Sequence, residues 1–275
     1  MGSPLGDFIR AKRDSLRPED LGLPPRDRRR VPGLRRSELA DRAGISVEYL
    51  TRIEQGRDRH PSTSVIHALS DALSLDSAER AHVRHLAKAT SGECAAHVGA
   101  APSREVRPAV RDLLGMLEPG VALLTNRLGD VLAHTTGFEL VMRQTGLLDG
   151  DSPNLTRYVF TDPRAKRAFV DWDQVADEQA FDLWLCPPRA GVDRFRAELA
   201  QVAEFTRRRD QVVPPARGAL RLDHPAAGLM RWNREVMELS GEDARQIVVF
   251  LPADEQTAAA FDRLRRESGG ALRAV

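Results

Sequence analysis

Between positions 35 and 59 the chain carries side chains suited to base edges and phosphates, and they recur at helical spacing. Val47, Glu48, Thr51 and Arg52 fall on the polar side of a helix predicted over Ser46–Gln55, with Leu50 and Ile53 on its apolar side. An arginine bonds guanine bidentately, a glutamate accepts from the cytosine amino group, and a valine meets a thymine methyl. Arg52, Glu48 and Val47 are therefore candidate base readers, beside Thr51 and the capping Ser46. Arg35, Arg36, Arg57 and Arg59 flank the helix and suit phosphate contacts, which position a protein without reading sequence. Tyr49 has two open readings, a phosphate bond or packing against the loop. Arg26, Arg28, Arg29 and Arg30 also have two, contact with the adjacent backbone or a solvated loop.

The elements that must hold these groups form a helix-turn-helix. Two helices, expected over Leu34–Ala43 and Ser46–Gln55, cross at a sharp angle and need a small residue where they touch, which Ala40 supplies. The turn needs a positive φ, which Gly44 accepts without strain. Ser46 stands where the second helix needs its cap, and Leu39, Ala43, Ile45, Leu50 and Ile53 recur where the pair faces its own core. A helical hairpin with a purely structural role is the competing reading. Around this unit, helices are expected over Leu5–Asp14 and Ser62–Leu73, and Asp76 with Glu79 forms a capping box for another. The proline-rich stretch Arg17–Gly33 reads as a long loop.

Charge is distributed in keeping with this. The 275 residues carry a net charge of +1. Residues 1–62 hold 14 Lys+Arg against 10 Asp+Glu, leaving 27 against 30 in the remainder, so a basic head joins a mildly acidic body. Two cysteines, Cys94 and Cys186, exclude a disulfide framework and suit a reducing cytosol. No uncharged apolar run is long enough to span a bilayer, and no signal region opens the chain, so a cytoplasmic protein without membrane contact is expected.

A small, polar stretch at Ser91–Ser103 reads as a linker, dividing the chain into 1–90, a linker at 91–104, and 105–275. In the last part, strands are expected at Val121–Thr125, Asp130–Ala133, Ala219–Leu222, Met230–Leu239 and Gln246–Leu251. Helices are expected at Val106–Leu117, Gly137–Gln144, Pro163–Val170, Trp172–Leu185, Val192–Arg208 and Thr257–Arg266. Strands, then helices, then strands imply an α+β domain with one antiparallel sheet. Most of the chain's aromatics lie here, and an apolar pocket with a few polar groups would use them. Phe138, Tyr158, Trp172 and Trp232 are the candidate walls, with His134, Arg157, Asp171 and Arg234 as polar candidates. Core packing is the competing role for each aromatic.

A family resemblance rests on named stretches. Residues 5–87, from LGDFIRAKRDSLRPEDLG to HVRHLA, and the segments NLTRYVFTDPRAKRAFVDWD and GALRLDHPAAG resemble XRE-family regulators that carry an MmyB-like ligand-binding domain. The resemblance implies a lambda-repressor-like, all-α N-terminal domain and a PAS-like C-terminal domain. It also implies a small-molecule effector such as a fatty acid. The sequence departs from the family pattern at Ala133-His134-Thr135, where relatives usually show Trp and Asn at the last two positions.

Phosphate-binding, dinucleotide, zinc-protease and nucleophile-elbow motifs are all missing, so no enzyme is expected. His82 and His85 share a helix face but lack a third ligand, so no metal is expected. The reading is a homodimeric transcription regulator, a repressor or activator, on a near-palindromic double-stranded operator, controlled by a small apolar or amphipathic molecule. The alternative keeps DNA binding and makes the C-terminal domain a ligand-free dimerisation or protein-interaction module.

Overall fold

The computed structural model describes residues 3–21, 33–58, 60–90, 104–186, 190–208, 215, 218–239 and 245–271. The linker expected over 91–104 lies outside these except for Arg104, and Arg26, Arg28, Arg29, Arg30, Arg59, Cys94, Pro187 and Pro188 also lie outside them. The described residues up to 90 belong to one compact unit, and those from 104 onward to a second.

The first unit is helical: α1 (Pro4–Ser15), α2 (Arg36–Ala43), α3 (Val47–Glu54), α4 (Thr63–Ala72) and α5 (Ser77–Thr90). Each start has a local cause. Ser3, Ser46 and Ser62 accept the backbone N–H three residues on, satisfying donors the helix itself leaves unpaired. Asp76 and Glu79 bond reciprocally at 3.2 and 2.8 Å, as the capping box requires. Gly44 ends α2 at φ 64°. The apolar face of every helix meets the others: Leu5, Phe8, Ile9, Leu39, Leu50 and Ile53 are all fully buried. Gly6 permits the closest approach, because a Cβ there would lie 2.6 Å from the carbonyl oxygens of Ile53 and Glu54.

The second unit holds one five-stranded sheet: β1 (Val121–Thr125), β2 (Val131–His134), β3 (Leu220–His224), β4 (Gly228–Glu238) and β5 (Gln246–Pro252). The order is β2-β1-β5-β4-β3 and every pairing is antiparallel, so the α+β expectation holds. Between β2 and β3 run α7 (Thr136–Met142), α8 (Leu155–Thr161), α9 (Pro163–Ala168), α10 (Trp172–Leu185), α11 (Ala190–Leu199) and α12 (Ala203–Thr206). These pack over one face with Leu123, Phe138, Leu222, Met230 and Trp232 in a single core. The other face carries α6 (Pro108–Gly115), whose Val110 and Leu114 meet Ala122, Leu124 and Ile247. β1 is therefore buried on both faces, which explains its unbroken apolar run. α13 (Glu255–Ala271) closes the chain, with Phe261 edge-on to Trp232 at 5.8 Å.

Two sequence expectations differ from the structure. α8 was not foreseen, because Leu155–Thr161 mixes β-branched and aromatic residues. Burial of Tyr158, Val159 and Phe160, and the Asn154 cap at 2.7 Å, override that local preference. The single helix expected over Val192–Arg208 is two, α11 and α12, broken at Ala200–Val202. α10 ends at Leu185, where Arg196 donates to the carbonyls of Leu183, Trp184 and Cys186. A cation there satisfies the orphan acceptors and the helix dipole together.

His224 ties the β3–β4 turn. Its Nδ1 accepts the N–H groups of Ala226 and Ala227 at 3.1 and 3.0 Å, so the neutral ring carries its proton on Nε2. Burial pushes its pKa below the ordinary 6.5. The unfolded chain takes up that proton as pH falls below 6.5 and the folded chain resists it, so this contribution is complete above pH 6.5 and lost on acidification. In His224→Asn, which keeps an acceptor, that component of the pH-stability curve is expected to vanish in urea titrations across the same range. Gly6→Ala is expected to lose about 1–3 kcal/mol by forcing α1 off α3. Gly44→Ala, with open space around its Cβ, should lose about 1–2 kcal/mol from backbone conformation alone. Helical circular dichroism during denaturation reads both.

Candidate nucleic-acid interface and effector cavity

α3 presents Val47, Glu48 and Arg52 to solvent, and Val47 is 36% exposed despite its apolar side chain. Ser46 accepts from the Tyr49 N–H at 3.1 Å and is committed to capping. Thr51, half-buried, donates its hydroxyl to the Val47 carbonyl at 2.8 Å. Tyr49 is half-buried, with the Arg52 guanidinium 5.3 Å from its ring centre. Burial and the Asp58 carboxylate hold its phenol above the usual range, so it stays a neutral donor. Arg35 and Arg57 are exposed, and no ion pair engages either among the described residues. Val47, Glu48 and Arg52 are thus exposed on α3, Arg57 just after it, and Arg35 at the start of α2.

Arg36 differs from its neighbours. Its Nε donates to Glu54 Oε2 at 2.6 Å, while Arg13 Nε donates to Glu54 Oε1 at 2.8 Å. Glu54 is fully buried, Arg13 nearly so, and Arg36 is partly open. Arg13 also donates to the Leu34 carbonyl at 2.8 Å, and Arg10 to the Glu54 carbonyl at 3.2 Å. One carboxylate thus joins α1, α2 and the end of α3. Arg36, read from the sequence as a phosphate contact, has its Nε engaged inside the protein. Glu54 and Arg13 were missed because the amphipathic pattern marks position 54 only as the polar end of a helix.

In the second unit, the six expected ligand residues sit within or beside the core. Phe138 packs on Phe250 at 5.8 Å and lies 5.9 Å from the half-buried His134 ring. Tyr158 donates to the Thr145 carbonyl at 2.8 Å. Trp172 donates to the Val159 carbonyl at 3.0 Å, with Lys166 4.4 Å and Arg208 5.1 Å from its ring centre. Asp171 pairs with Arg221, which holds its carboxyl below the usual range. Trp232 is 1% exposed and its indole N–H has no partner among the described residues. Of the further polar candidates, Arg157 forks onto Glu198 at 2.8 and 3.2 Å.

A cavity of about 90 Å³ lies against the inner face of β1, β4 and β5 and under α10, and none of those six residues lines it. Leu123, Leu155, Val236, Val248 and Phe250 form its apolar wall; Arg127, Glu178, Gln179, Asp182, Arg234 and Gln246 are among its polar groups. Arg234 grips Glu178 at 2.6 and 2.8 Å and donates to the Gly218 carbonyl at 3.0 Å. Of these groups, sequence reading had singled out Arg234 alone. The available signal was in α10: Glu178 and Asp182 stand four apart on a helix otherwise buried almost all round. Ionisable groups at such positions need buried partners.

A helix-turn-helix unit with exposed arginines, joined in one chain to an α+β domain with a small mixed-polarity cavity, defines a DNA-binding regulator with a ligand-binding body. Residues 5–83 match the model of a helix-turn-helix domain, and residues 106–264 match that of the MmyB-like transcription regulator ligand binding domain. The chain belongs to the MmyB-like transcription regulators. No curated protein matches it. Among the described residues no cluster of three or more metal-ligating side chains occurs, and no helix is long and apolar enough to cross a membrane.

Removing Glu54 leaves the buried Arg13 guanidinium without its carboxylate. Glu54→Leu is expected to cost about 3–5 kcal/mol. Scanning calorimetry of the intact chain should show the loss in the helical unit's transition, and DNA affinity should fall with it.

Proposed function

We propose that this regulator reads its operator through Val47, Glu48 and Arg52 at the start and centre of α3. We further propose that a small molecule held by the C-terminal domain controls it. The observation that carries the reading is the state of α3. Its base-reading candidates are exposed and its other face is locked by a saturated buried carboxylate. Arg35, Arg57 and Arg59 are the phosphate contacts in this reading, with Tyr49 as a neutral donor and Ser46 and Thr51 keeping the helix start in shape.

A homodimer places two such helices about 34–36 Å apart in successive major grooves of a near-palindromic site. The effector then shifts the populations of dimer geometries that fit or do not fit the operator. Such a protein acts beside the DNA in the cytoplasm. The resemblance suggests a fatty acid. The cavity under α10 is smaller than the ~150 Å³ that admits benzene, whereas a more open space of about 380 Å³ lies between α10 and α11, against Leu183, Trp184 and Phe205.

In a binding-site selection, Arg52→Ala is expected to relax preference at one base pair and to weaken the best site by about 1–3 kcal/mol. Arg57→Ala should weaken all sites alike and lower the salt slope by about one. An unchanged sequence preference in Arg52→Ala would sink the assignment of the reading face.

A further inference from the structure

Arg52 is held by the flat side of its guanidinium. The guanidinium carbon lies 5.3 Å from the centre of the Tyr49 ring, within the range at which a cation and an aromatic face attract. Among the described residues no hydrogen bond or ion pair engages its N–H groups, and the residue is exposed. Stacking leaves the donors of a guanidinium unspent, because they all point outward in its plane. Those are the donors that guanine O6 and N7 take as a pair. A salt bridge would occupy them instead, as it does at Arg36, whose Nε is bound to Glu54 at 2.6 Å.

The ring that holds Arg52 is itself held. Tyr49 stands three residues before Arg52 on α3, the spacing at which helical side chains meet. It is half-buried, and its N–H donates to Ser46 Oγ at 3.1 Å. Gly56, at φ 66°, turns the chain back after the helix. The N–H groups of Arg57 and Asp58 then donate to the Arg52 carbonyl at 2.9 and 3.3 Å. Asp58 Oδ1 accepts the His60 N–H at 3.0 Å, which steadies the carboxylate. Burial, and then the Asp58 carboxylate facing its hydroxyl, raise the Tyr49 phenol's pKa. The hydroxyl therefore has an acceptor within the protein, and the ring face is given to Arg52. An arginine already stacked in this way gives up less side-chain freedom on meeting a base than one that moves freely.

We propose that Tyr49 is a positioning residue for base recognition: its ring holds the Arg52 guanidinium by the face and keeps the N–H edge free for a guanine. This rests on the reading of Arg52 as a base reader, and it assigns Tyr49 to specificity rather than to a phosphate.

The test uses the intact chain and two duplexes: the best site from the binding-site selection, and the same site changed at the base pair that Arg52→Ala relaxes. The ratio of the two affinities is read on one protein sample, so any loss of folded protein cancels from it. In Tyr49→Leu this ratio is expected to fall about two- to fivefold, with preference at the other base pairs unchanged. Tyr49→Phe keeps the ring without the hydroxyl and is expected to hold the ratio. Tyr49→Leu added to Arg52→Ala should cost nothing further at that base pair. In the free chain, the ring current should hold the Arg52 δ-proton NMR signals upfield in the unaltered protein and in Tyr49→Phe, and release them in Tyr49→Leu. Should Tyr49→Leu unfold, Tyr49→Phe with a fully fluorinated ring decides. Its size is nearly kept, its face no longer attracts a cation, and the ratio is expected to fall as it does for leucine. An equal loss at every site in Tyr49→Phe gives the hydroxyl to a phosphate and overturns the proposal. An unchanged ratio in Tyr49→Leu or in the fluorinated variant, or Arg52 signals that do not respond to the ring, also overturns it. If Arg52→Ala relaxes no base pair, the base-reading assignment fails and this inference with it. If Arg52→Ala relaxes one and Tyr49→Leu leaves the ratio unchanged, the positioning role alone fails.

Discussion

Glu54 buries a full negative charge at the junction of three helices, and the geometry of the DNA-facing surface follows from how that charge is met. An isolated carboxylate in such a place would be strongly unfavourable. It is tolerated because Arg13 takes one oxygen and Arg36 the other. The pair of bonds fixes α1 and α2 against the end of α3, and a rotation of α3 about its own axis would break at least one. Apolar contacts alone are weakly directional and would permit small rotations. A helix that must present three particular side chains to base edges gains from a directional constraint on its far side. Gly6 completes it by allowing α1 within backbone contact of the same turn.

The second unit solves a different problem. Its sheet is covered on both faces, so β1 carries no polar side chain until Thr125, and the helices over the inner face fill most of the space with aromatic rings. Trp172, Phe160 and Phe205 meet edge to face, and Trp232 meets Phe261 in the same way. Such packing leaves little room for a bulky apolar guest. A small space lies near the end of the sheet where β1 turns into β2 and where α10 brings Glu178 and Asp182 inward, and more open ones lie between α10 and α11 and beside the β3–β4 turn.

How much of this was legible depended on how local each cause was. Ser46, Gly44 and the Asp76–Glu79 box act within four residues of themselves, and their roles could be read directly. The strands and the sheet class followed from apolar runs and turn residues. α8 was hidden because its residue types favour a strand, and only tertiary burial of Tyr158 and Phe160 makes it a helix. The buried charges were hidden for a related reason. Arg13 finds Glu54 from 41 positions away and Arg234 finds Glu178 from 56, distances at which spacing carries no signal. The expected ligand residues stand out in the sequence by aromatic character and by nearness to family-like stretches. Those criteria select good core residues as readily as pocket walls, and in this chain Trp172, Tyr158 and Phe138 are engaged in packing.

The two buried arginine-carboxylate clusters use the same chemistry but differ in how closely their charges meet. Around Glu54 the carboxylate's two oxygens each have a guanidinium, and Arg13 turns Nη1 to Leu34 and Asp14, while the Nε of the adjoining Arg10 is buried without a partner among the described residues. A buried network that meets both carboxylate oxygens resists deformation. Around Arg127 one bond goes outward to an exposed glutamate, one carboxylate stands off at 3.8 Å, and Nε is idle. A cluster closed this loosely holds the β1–β2 turn and α10 less firmly than Glu54 holds its three helices.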